Sequence, residues 1–225
     1  MKEISMFDVI GPNMIGPSSS HTAGACRIAQ IARRIANEKI VSVRFDLYGS
    51  FAKTYHGHGT DRALVAGMLG MNPDDERIKD SFTCASKEGL AYSFKEKHDP
   101  AFAPNTVIIH MVDQYQQTYT MRGESVGGGE VMINSINGVE VNLSGEYDTL
   151  VVKQHDAPGV IARLSSILAN YGINIAFMKL YREDKGKVAY TIVEVDEHFD
   201  KTLFEELRKD RAIISVSYIP RLEWD

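Results

Sequence analysis

The order of periodic segments in the last third of the chain restricts the fold more than any other feature. Between residues 147 and 220, two stretches with the 3.6-residue period of amphipathic helices alternate with four short stretches typical of strands. The helices are expected at residues 159–171 and around 203–207, the second capped by Asp200, and the strands at 150–154, 175–181, 188–195 and 214–218. The order βαββαβ predicts a compact module. We expect it to bind a small effector and to carry no chemistry of its own.

The turn from the first strand of this module into its first helix has a distinctive sequence. It reads Asp156-x-Pro158-Gly159, and Gly172-Ile173-Asn174-Ile175 follows one helix later. Proline fixes φ and glycine permits a sharp turn, which leaves early helical N–H groups free for a ligand carboxylate. The whole segment resembles an ACT domain, a ferredoxin-like βαββαβ sensor of small molecules attached to many enzymes of amino-acid metabolism.

The resemblance to ACT domains implies self-association, with an amino acid bound at the joint between two modules. The effector-binding positions that it implies are Gln154, Asp156, Gly159, Val160 and Asn174. Some amino-acid-binding members carry His where Gln154 stands, so the identity of the ligand stays open. Asp156 and Asn174 are equally compatible with a simple cap and a turn residue.

The segments before residue 145 predict a mixed α/β domain. A helical period follows residues 18–22, an alternating strand spans 41–47, and a loop with several glycines is expected over 49–59. Thr60 and Asp61 resemble the N-cap and first-turn acid of another short helix. Further strands are expected near 91–94, 107–112 and 117–121, and Asn137-Gly138 predicts a hairpin. A polar break at residues 144–146 divides the chain into domains 1–145 and 147–225, and the overall class is α/β (α+β).

Two histidine-bearing motifs stand out in the first domain. SSSHT at residues 18–22 places hydroxyls and an imidazole at a helix N-terminus, which favours an anion. KTYHGHGTD at residues 53–61 places two histidines just before another helix. Taken singly, the first motif is also compatible with an N-cap rich in serine, and a lone loop histidine is usually solvated.

Together, IGPSSSHTAG and GSFAKTYHGHGTDRALVAG resemble the beta chain of the two-chain, iron–sulfur-dependent L-serine dehydratase, over nearly the full length. The resemblance implies a lyase, an L-serine ammonia-lyase that is active only with an alpha chain. It implies His58 as base or proton shuttle and His21 as a second candidate or a carboxylate ligand, with His56 an extra histidine. The substrate carboxylate would be bound by the hydroxyls of Ser18, Ser19, Ser20 and Thr22.

Cysteine content bears on the cofactor that this resemblance implies. Only Cys26 and Cys84 are present, whereas an iron–sulfur cluster usually takes three or four thiolates. The [4Fe-4S] cluster is therefore expected on the alpha chain, and no metal site is predicted here. With a formal net charge of -5 and a pI near 5.8, the chain is not expected to bind nucleic acid. Because no apolar run approaches a signal peptide or a membrane span, we expect a cytoplasmic protein with no membrane partner.

A second hypothesis comes from a different class of protein. The first domain is also similar to a sensor domain of some phosphoglycerate dehydrogenases, which would make the chain a stand-alone amino-acid-binding regulator. In single-chain serine dehydratases a His-Pro-Asn stretch is thought to form an effector site. The nearest match here is Ala103-Pro104-Asn105, which lacks the histidine.

Overall fold

A computed structural model describes residues 13–36, 38–199 and 201–221 of the chain. Its contacts divide into two compact units that meet between Ser144 and Gly145. Each unit contains helices and sheet, so the expected α/β (α+β) class is confirmed. None of the helices within the described ranges is long and apolar enough to cross a membrane.

The first unit is built on a six-stranded sheet of order β2-β1-β3-β4-β5-β6. β1 and β2 are parallel, and the other neighbouring pairs are antiparallel. The hairpin predicted at Asn137-Gly138 joins β5 to β6, and both residues have positive φ. The strands are β1 Ile40–Leu47, β2 Ala91–Glu96, β3 Thr106–Asp113, β4 Thr118–Gly127, β5 Glu130–Ile136 and β6 Val139–Leu143.

Within the described residues of this unit there are four α-helices, and the first continues from a π-helical turn, Ser19–Gly24. The helices are α1 Ala25–Ala36, α2 Gly49–Thr54, α3 Thr60–Met68 and α4 Ser81–Glu88, with a 3₁₀ turn over Glu76–Asp80. The core lies between the helices and the sheet, where a buried layer includes Ile28, Phe45, Phe51, Leu64, Ile109, Met121 and Ile133.

Helices α1 and α3 approach each other closely, because a glycine lies at their contact. A Cβ atom placed on Gly67 of α3 would lie 2.2 Å from the carbonyl oxygen of Cys26 in α1. Only a residue without a side chain permits this separation. The packing brings the beginning of α1 and the loop before α3 together, and those two segments carry the histidine motifs.

Two local predictions for this unit were wrong. The segment expected to be a loop from residue 49 begins with helix α2, which is too short to show a periodic pattern. Its start is fixed by backbone contacts, since the N–H groups of Ser50 and Phe51 donate to the carbonyl oxygen of Pro104. Thr60 is the first residue of α3 rather than its N-cap, because Gly59 holds the cap position at a φ of 70°. Asp61 does lie in the first turn.

The second unit has the predicted βαββαβ order. Its four-stranded antiparallel sheet has the order β10-β7-β9-β8. Apolar side chains of both helices and of the sheet, among them Leu164, Leu203 and Val193, form its core. The elements are β7 Asp148–His155, α5 Val160–Asn170, β8 Ile175–Asp184, β9 Val188–Val195, α6 Lys201–Lys209 and β10 Ile213–Ile219. Asp200, predicted to cap α6, lies outside the described residues.

Candidate active site

The SSSHT motif forms the π-helical turn that precedes α1. Ser18 is its N-cap, and its Oγ accepts a hydrogen bond from the backbone N–H of His21 at 3.3 Å. Ser19 and Ser20 are half-buried in the first turn, whereas His21 is only 8% exposed. A π-helical turn widens the backbone and is frequent at functional sites. The turn thus holds His21 against the interior of the unit with its serines nearer the surface.

The second motif is fastened to the first by backbone and side-chain contacts. Thr22 is buried, and its Oγ1 donates to the carbonyl oxygen of His58 at 3.4 Å. The backbone N–H of His58 donates to the carbonyl oxygen of Thr54 at the end of α2. Thr22 therefore links the two motifs, which are separated by more than thirty residues in the sequence.

The rings of His21 and His58 meet edge to face, with their centroids 4.7 Å apart. Phe51 also packs edge to face with His21, with the ring centroids 5.3 Å apart. Burial lowers the pKa of His21, and the neighbouring His58 lowers it further. The imidazole of His21 is therefore neutral near neutral pH. The structure brings together the two histidines that the sequence singled out.

Several polar atoms around these motifs are buried without a hydrogen-bond partner among the described residues. They include Nδ1 of His58 and Oγ1 of Thr60. Buried polar atoms are almost always paired in folded proteins, so each exception calls for a reason, and proximity to chemistry is a common one. These atoms mark the end of the loop before α3 and the first residue of that helix as a place that can accept or donate further hydrogen bonds.

Ser50, which sequence reasoning did not select, is part of the same cluster. Its Oγ lies 3.0 Å from Nε2 of His21, while Oγ of Ser18 lies 3.3 Å from Nδ1 of the same ring. No periodic signal points to Ser50, because it begins a six-residue helix in a segment that reads as a loop. Its place next to a motif histidine appears only when the chain is folded.

His56, the extra histidine of the loop, is placed differently from its neighbour. Its side chain is 74% exposed, and its Nδ1 lies 2.7 Å from Oδ2 of Asp61. The carboxylate of Asp61 is buried and also accepts the backbone N–H of Arg62. His56 thus contacts the start of α3 from the outside and does not join the pair of rings.

Cys26, one of the two thiols of this chain, is not suited to be a ligand of an iron–sulfur cluster. Cys26 is fully buried, its Sγ donates to the carbonyl oxygen of Met71, and burial raises its pKa to about 12. It is therefore a neutral thiol rather than a thiolate ligand. Within the described parts of the chain, no group of three or more His, Cys, Asp or Glu residues is placed to hold a metal ion.

The predicted effector residues of the second unit do not converge within one module. The carboxylate of Asp156 accepts from Nε of Arg182 at 3.2 Å and from the backbone N–H of Gly186 at 2.8 Å. Asn174 donates from Nδ2 to Asp196 at 2.8 Å. Asp156 and Asn174 lie at opposite ends of β9, roughly 20 Å apart at the usual rise of a strand.

The other three effector positions lie near Asp156. Gln154 is buried, and its Oε1 accepts from Oγ1 of Thr191 at 3.1 Å. Gly159 is the N-cap of α5 with a φ of 82°, and Val160 is the buried first residue of that helix. A site that also uses Asn174 therefore requires a second module.

Comparison with known proteins places both units in one family. The family model "Serine dehydratase beta chain" matches residues 5–88, which include both histidine motifs and Ser50, and the model "ACT domain" matches residues 149–212. The "Probable L-serine dehydratase, beta chain" of Bacillus subtilis is 41% identical, covering 97% of this chain and 99% of that protein. This chain belongs to the family of L-serine dehydratase beta chains. Its second unit is an ACT domain.

Two further proteins are similar to this chain. The "L-serine dehydratase, beta chain" of Peptoniphilus asaccharolyticus is 42% identical over 97% of this chain and 99% of that protein. The "D-3-phosphoglycerate dehydrogenase" of Bacillus subtilis is 25% identical over 87% of this chain and 37% of that protein. The two beta chains match this chain over nearly its whole length. The D-3-phosphoglycerate dehydrogenase matches it with 37% of its own length.

Proposed function

We propose that this chain is the beta subunit of an L-serine dehydratase, converting L-serine to pyruvate and ammonia together with an iron–sulfur alpha subunit. The observation that carries the proposal is the meeting of His21 and His58, with ring centroids 4.7 Å apart, inside the segment that matches the family. Hydroxyl groups of Ser18 and Ser50 flank the His21 ring. Imidazoles beside hydroxyl donors suit removal of a proton from an amino acid whose carboxylate is held close by.

His58 is the base in this proposal. Both ring nitrogens of His21 are engaged by serine hydroxyls, whereas Nδ1 of His58 has no partner among the described residues. In the neutral ring of His58 one nitrogen carries no hydrogen, and its lone pair would accept the α-proton of serine. A neutral His21 beside it avoids repulsion with the imidazolium that forms.

The hydroxyls of Ser19 and Ser20 would bind the substrate carboxylate from the N-terminal end of the helix, where backbone N–H groups favour an anion. His21 would orient this group of donors. Ser18 would support the turn instead, because its hydroxyl is engaged with Nδ1 of His21. Thr22 would not bind the carboxylate, because its hydroxyl already donates to the carbonyl oxygen of His58. It would hold the loop that carries the base.

Departure of the β-hydroxyl requires an acid. A [4Fe-4S] cluster would supply Lewis-acid chemistry for this step. The alpha subunit would hold that cluster, because the buried, neutral Cys26 and the lone Cys84 do not supply its ligands. This chain would contribute the base and the carboxylate-binding groups.

The ACT domain would sense an amino acid, with L-serine as the first candidate. Since Asp156 and Asn174 lie at opposite ends of β9, the ligand would bind at the joint of two modules, with Asp156 from one and Asn174 from the other. Self-association through the ACT domain follows from this proposal.

The experiment is anaerobic reconstitution of the two chains, with pyruvate formation as the measurement. We expect no turnover from either chain alone and full turnover from the mixture. The alternative function is that of a stand-alone amino-acid-binding regulator, favoured by the likeness to part of a D-3-phosphoglycerate dehydrogenase. Full activity of the alpha chain alone, together with saturable binding of L-serine to the isolated chain in isothermal titration, would support the regulator and sink the first proposal.

A further inference from the structure

Both nitrogens of the His21 ring are held by hydroxyl groups from different parts of the chain. Ser18 Oγ lies 3.3 Å from Nδ1, and Ser50 Oγ lies 3.0 Å from Nε2. Ser18 comes from the same turn, whereas Ser50 comes from α2, 29 residues further along. A ring held at both nitrogens has its plane fixed as well as its position. The contact with Ser50 is the shorter of the two.

The hydrogen bonds of Ser18 and Ser50 can be satisfied together by one tautomer of His21, with the hydrogen on Nε2. Oγ of Ser18 accepts the backbone N–H of His21 through one lone pair, and its single hydrogen can be donated to Nδ1 of the same residue. Nδ1 is then the unprotonated nitrogen, and Nε2–H donates to Oγ of Ser50. Ser50 is therefore the acceptor that completes the tautomer.

Ser50 is itself rigidly placed. Its backbone N–H donates to the carbonyl oxygen of Pro104 at 2.5 Å, and its carbonyl oxygen accepts from Oγ1 of Thr54 at 2.9 Å. The preceding Gly49 has a φ of 58°, and a Cβ atom there would lie 2.6 Å from Pro104. A side chain that is half-buried on so fixed a backbone holds its partner to one geometry.

We infer that Ser50 is a positioning residue, which together with Ser18 fixes His21 as its Nε2–H tautomer and keeps that ring perpendicular to the ring of His58. The inference rests on the proposed function for its catalytic meaning, but the geometry it describes belongs to the free chain. With the hydrogen fixed on Nε2, His21 is neutral, and its Nδ1 carries no hydrogen toward Ser18 while His58 takes up a proton. Ser50 acts through His21 and needs no contact with the substrate.

The first test reads the tautomer in the isolated full-length chain, labelled with ¹⁵N, by long-range ¹H–¹⁵N correlation spectra of the histidine rings. We expect His21 to be protonated at Nε2 in the wild type and to become a mixture of tautomers in Ser50→Ala. Ser50→Thr, which keeps the hydroxyl, should retain the wild-type pattern. Ser86→Ala, an exposed serine of α4, is the matched control and should change nothing.

The wild-type spectrum alone can overturn the inference, because a ring protonated at Nδ1 contradicts it whether or not any variant folds. An unchanged tautomer in Ser50→Ala would overturn it as well. Neither result depends on dehydratase activity. A shifted tautomer combined with full turnover in His58→Ala would leave the positioning intact and refute the proposed function.

The second test asks whether Ser50 acts through His21. In the reconstituted two-chain enzyme, Ser50→Ala should lower kcat about tenfold, the size expected from the loss of one neutral hydrogen bond. Ser50→Thr should restore kcat to within about twofold of the wild type, by the same estimate. In a His21→Ala background the Ser50 substitution should have no further effect, since coupled residues are not additive. An additive effect in the double variant would show that Ser50 acts on something else.

Discussion

The two candidate sites of this chain differ in how their polar side chains are used. In the first unit, His21 and His58 lie against each other, and atoms such as Nδ1 of His58 remain buried without a partner among the described residues. In the ACT domain, Asp156 and Asn174 are already bonded within the module and lie at opposite ends of a strand. One site is assembled by a single chain and kept ready for further hydrogen bonds. In the other, the two residues are already paired within the module, and a site that uses both would require a second copy, as proposed above.

The largest effect should come from removing the proposed base in the first unit. His58→Ala in the reconstituted enzyme should lower kcat by about 10²–10⁴, the range typical of acid–base groups. His56→Ala is the matched control in the same loop, because that ring is largely exposed and should leave kcat within about threefold under the same estimate. Equal losses in both variants would mean that the loop has a structural role only.

The second unit offers a test of its two-module site. Asp156→Asn and Asn174→Ala should each weaken binding of L-serine to the isolated chain by about 10- to 100-fold, as expected for a lost charged hydrogen bond. Isothermal titration measures the effect. If each site takes Asp156 from one module and Asn174 from its partner, an equal mixture of the two variants should recover about a quarter of the wild-type sites, on random pairing in a twofold dimer. Recovery of no sites would place both residues in the same module or outside the site.

A substitution at the contact of α1 and α3 tests whether the stability of the first unit can be lowered without changing that of the second. Gly67→Ala forces a methyl group against the carbonyl oxygen of Cys26, and the free energy of unfolding of the first unit should fall by about 1–3 kcal/mol. Gly57→Ala is the control, since its φ is ordinary and the nearest atom to an added Cβ is 3.8 Å away. Hydrogen exchange of backbone amides at increasing urea concentrations should show reduced protection around the histidine motifs. Protection in the ACT domain should be unchanged. Loss of protection in the ACT domain would mean that the two units do not unfold independently.

The smallest effect concerns pH. Burial lowers the pKa of His21 below its usual 6.5, so the folded chain favours the neutral ring. The stability that this contributes is present above pH 6.5 and is lost as the pH falls below that value, because the unfolded chain then binds the additional proton. His21→Gln should therefore show a flatter dependence of Tm on pH between 7.5 and 5.5, in the sense that it loses less on acidification. A Tm that falls equally in both proteins would assign the dependence to other groups such as His110, whose pKa is also lowered by burial.

Much of this architecture could be predicted where one face of an element is apolar. The βαββαβ order, the ends of β9 and the hairpin at Asn137-Gly138 follow from period and turn chemistry, because burial and positive φ each restrict the residue types allowed. Helix α2 could not be found in this way. Six residues are less than two helical turns, and the contacts that fix it come from Pro104, more than fifty positions away.

The two histidine motifs of the candidate site were selected from the sequence. The contact between His21 and Ser50 was not. His21 and His58 were selected because their neighbours are hydroxyls and glycines, and both motifs are typical of the family. Ser50 carries no such signal, and only the fold brings it within 3.0 Å of His21. The separation of Asp156 from Asn174 depends on strand register, which the sequence does not determine residue by residue.

The central claim is that His58 supplies the base of a serine dehydratase completed by another chain. The most direct measurement is the rate of pyruvate formation by the reconstituted His58→Ala enzyme as imidazole is added at constant pH and ionic strength. We predict a saturable increase of about tenfold or more, a part of the acid–base contribution returned by an imidazole that occupies the space left by the side chain. A rate that does not respond to imidazole, in a variant that already turns over serine within about twofold of the wild type, would contradict the account.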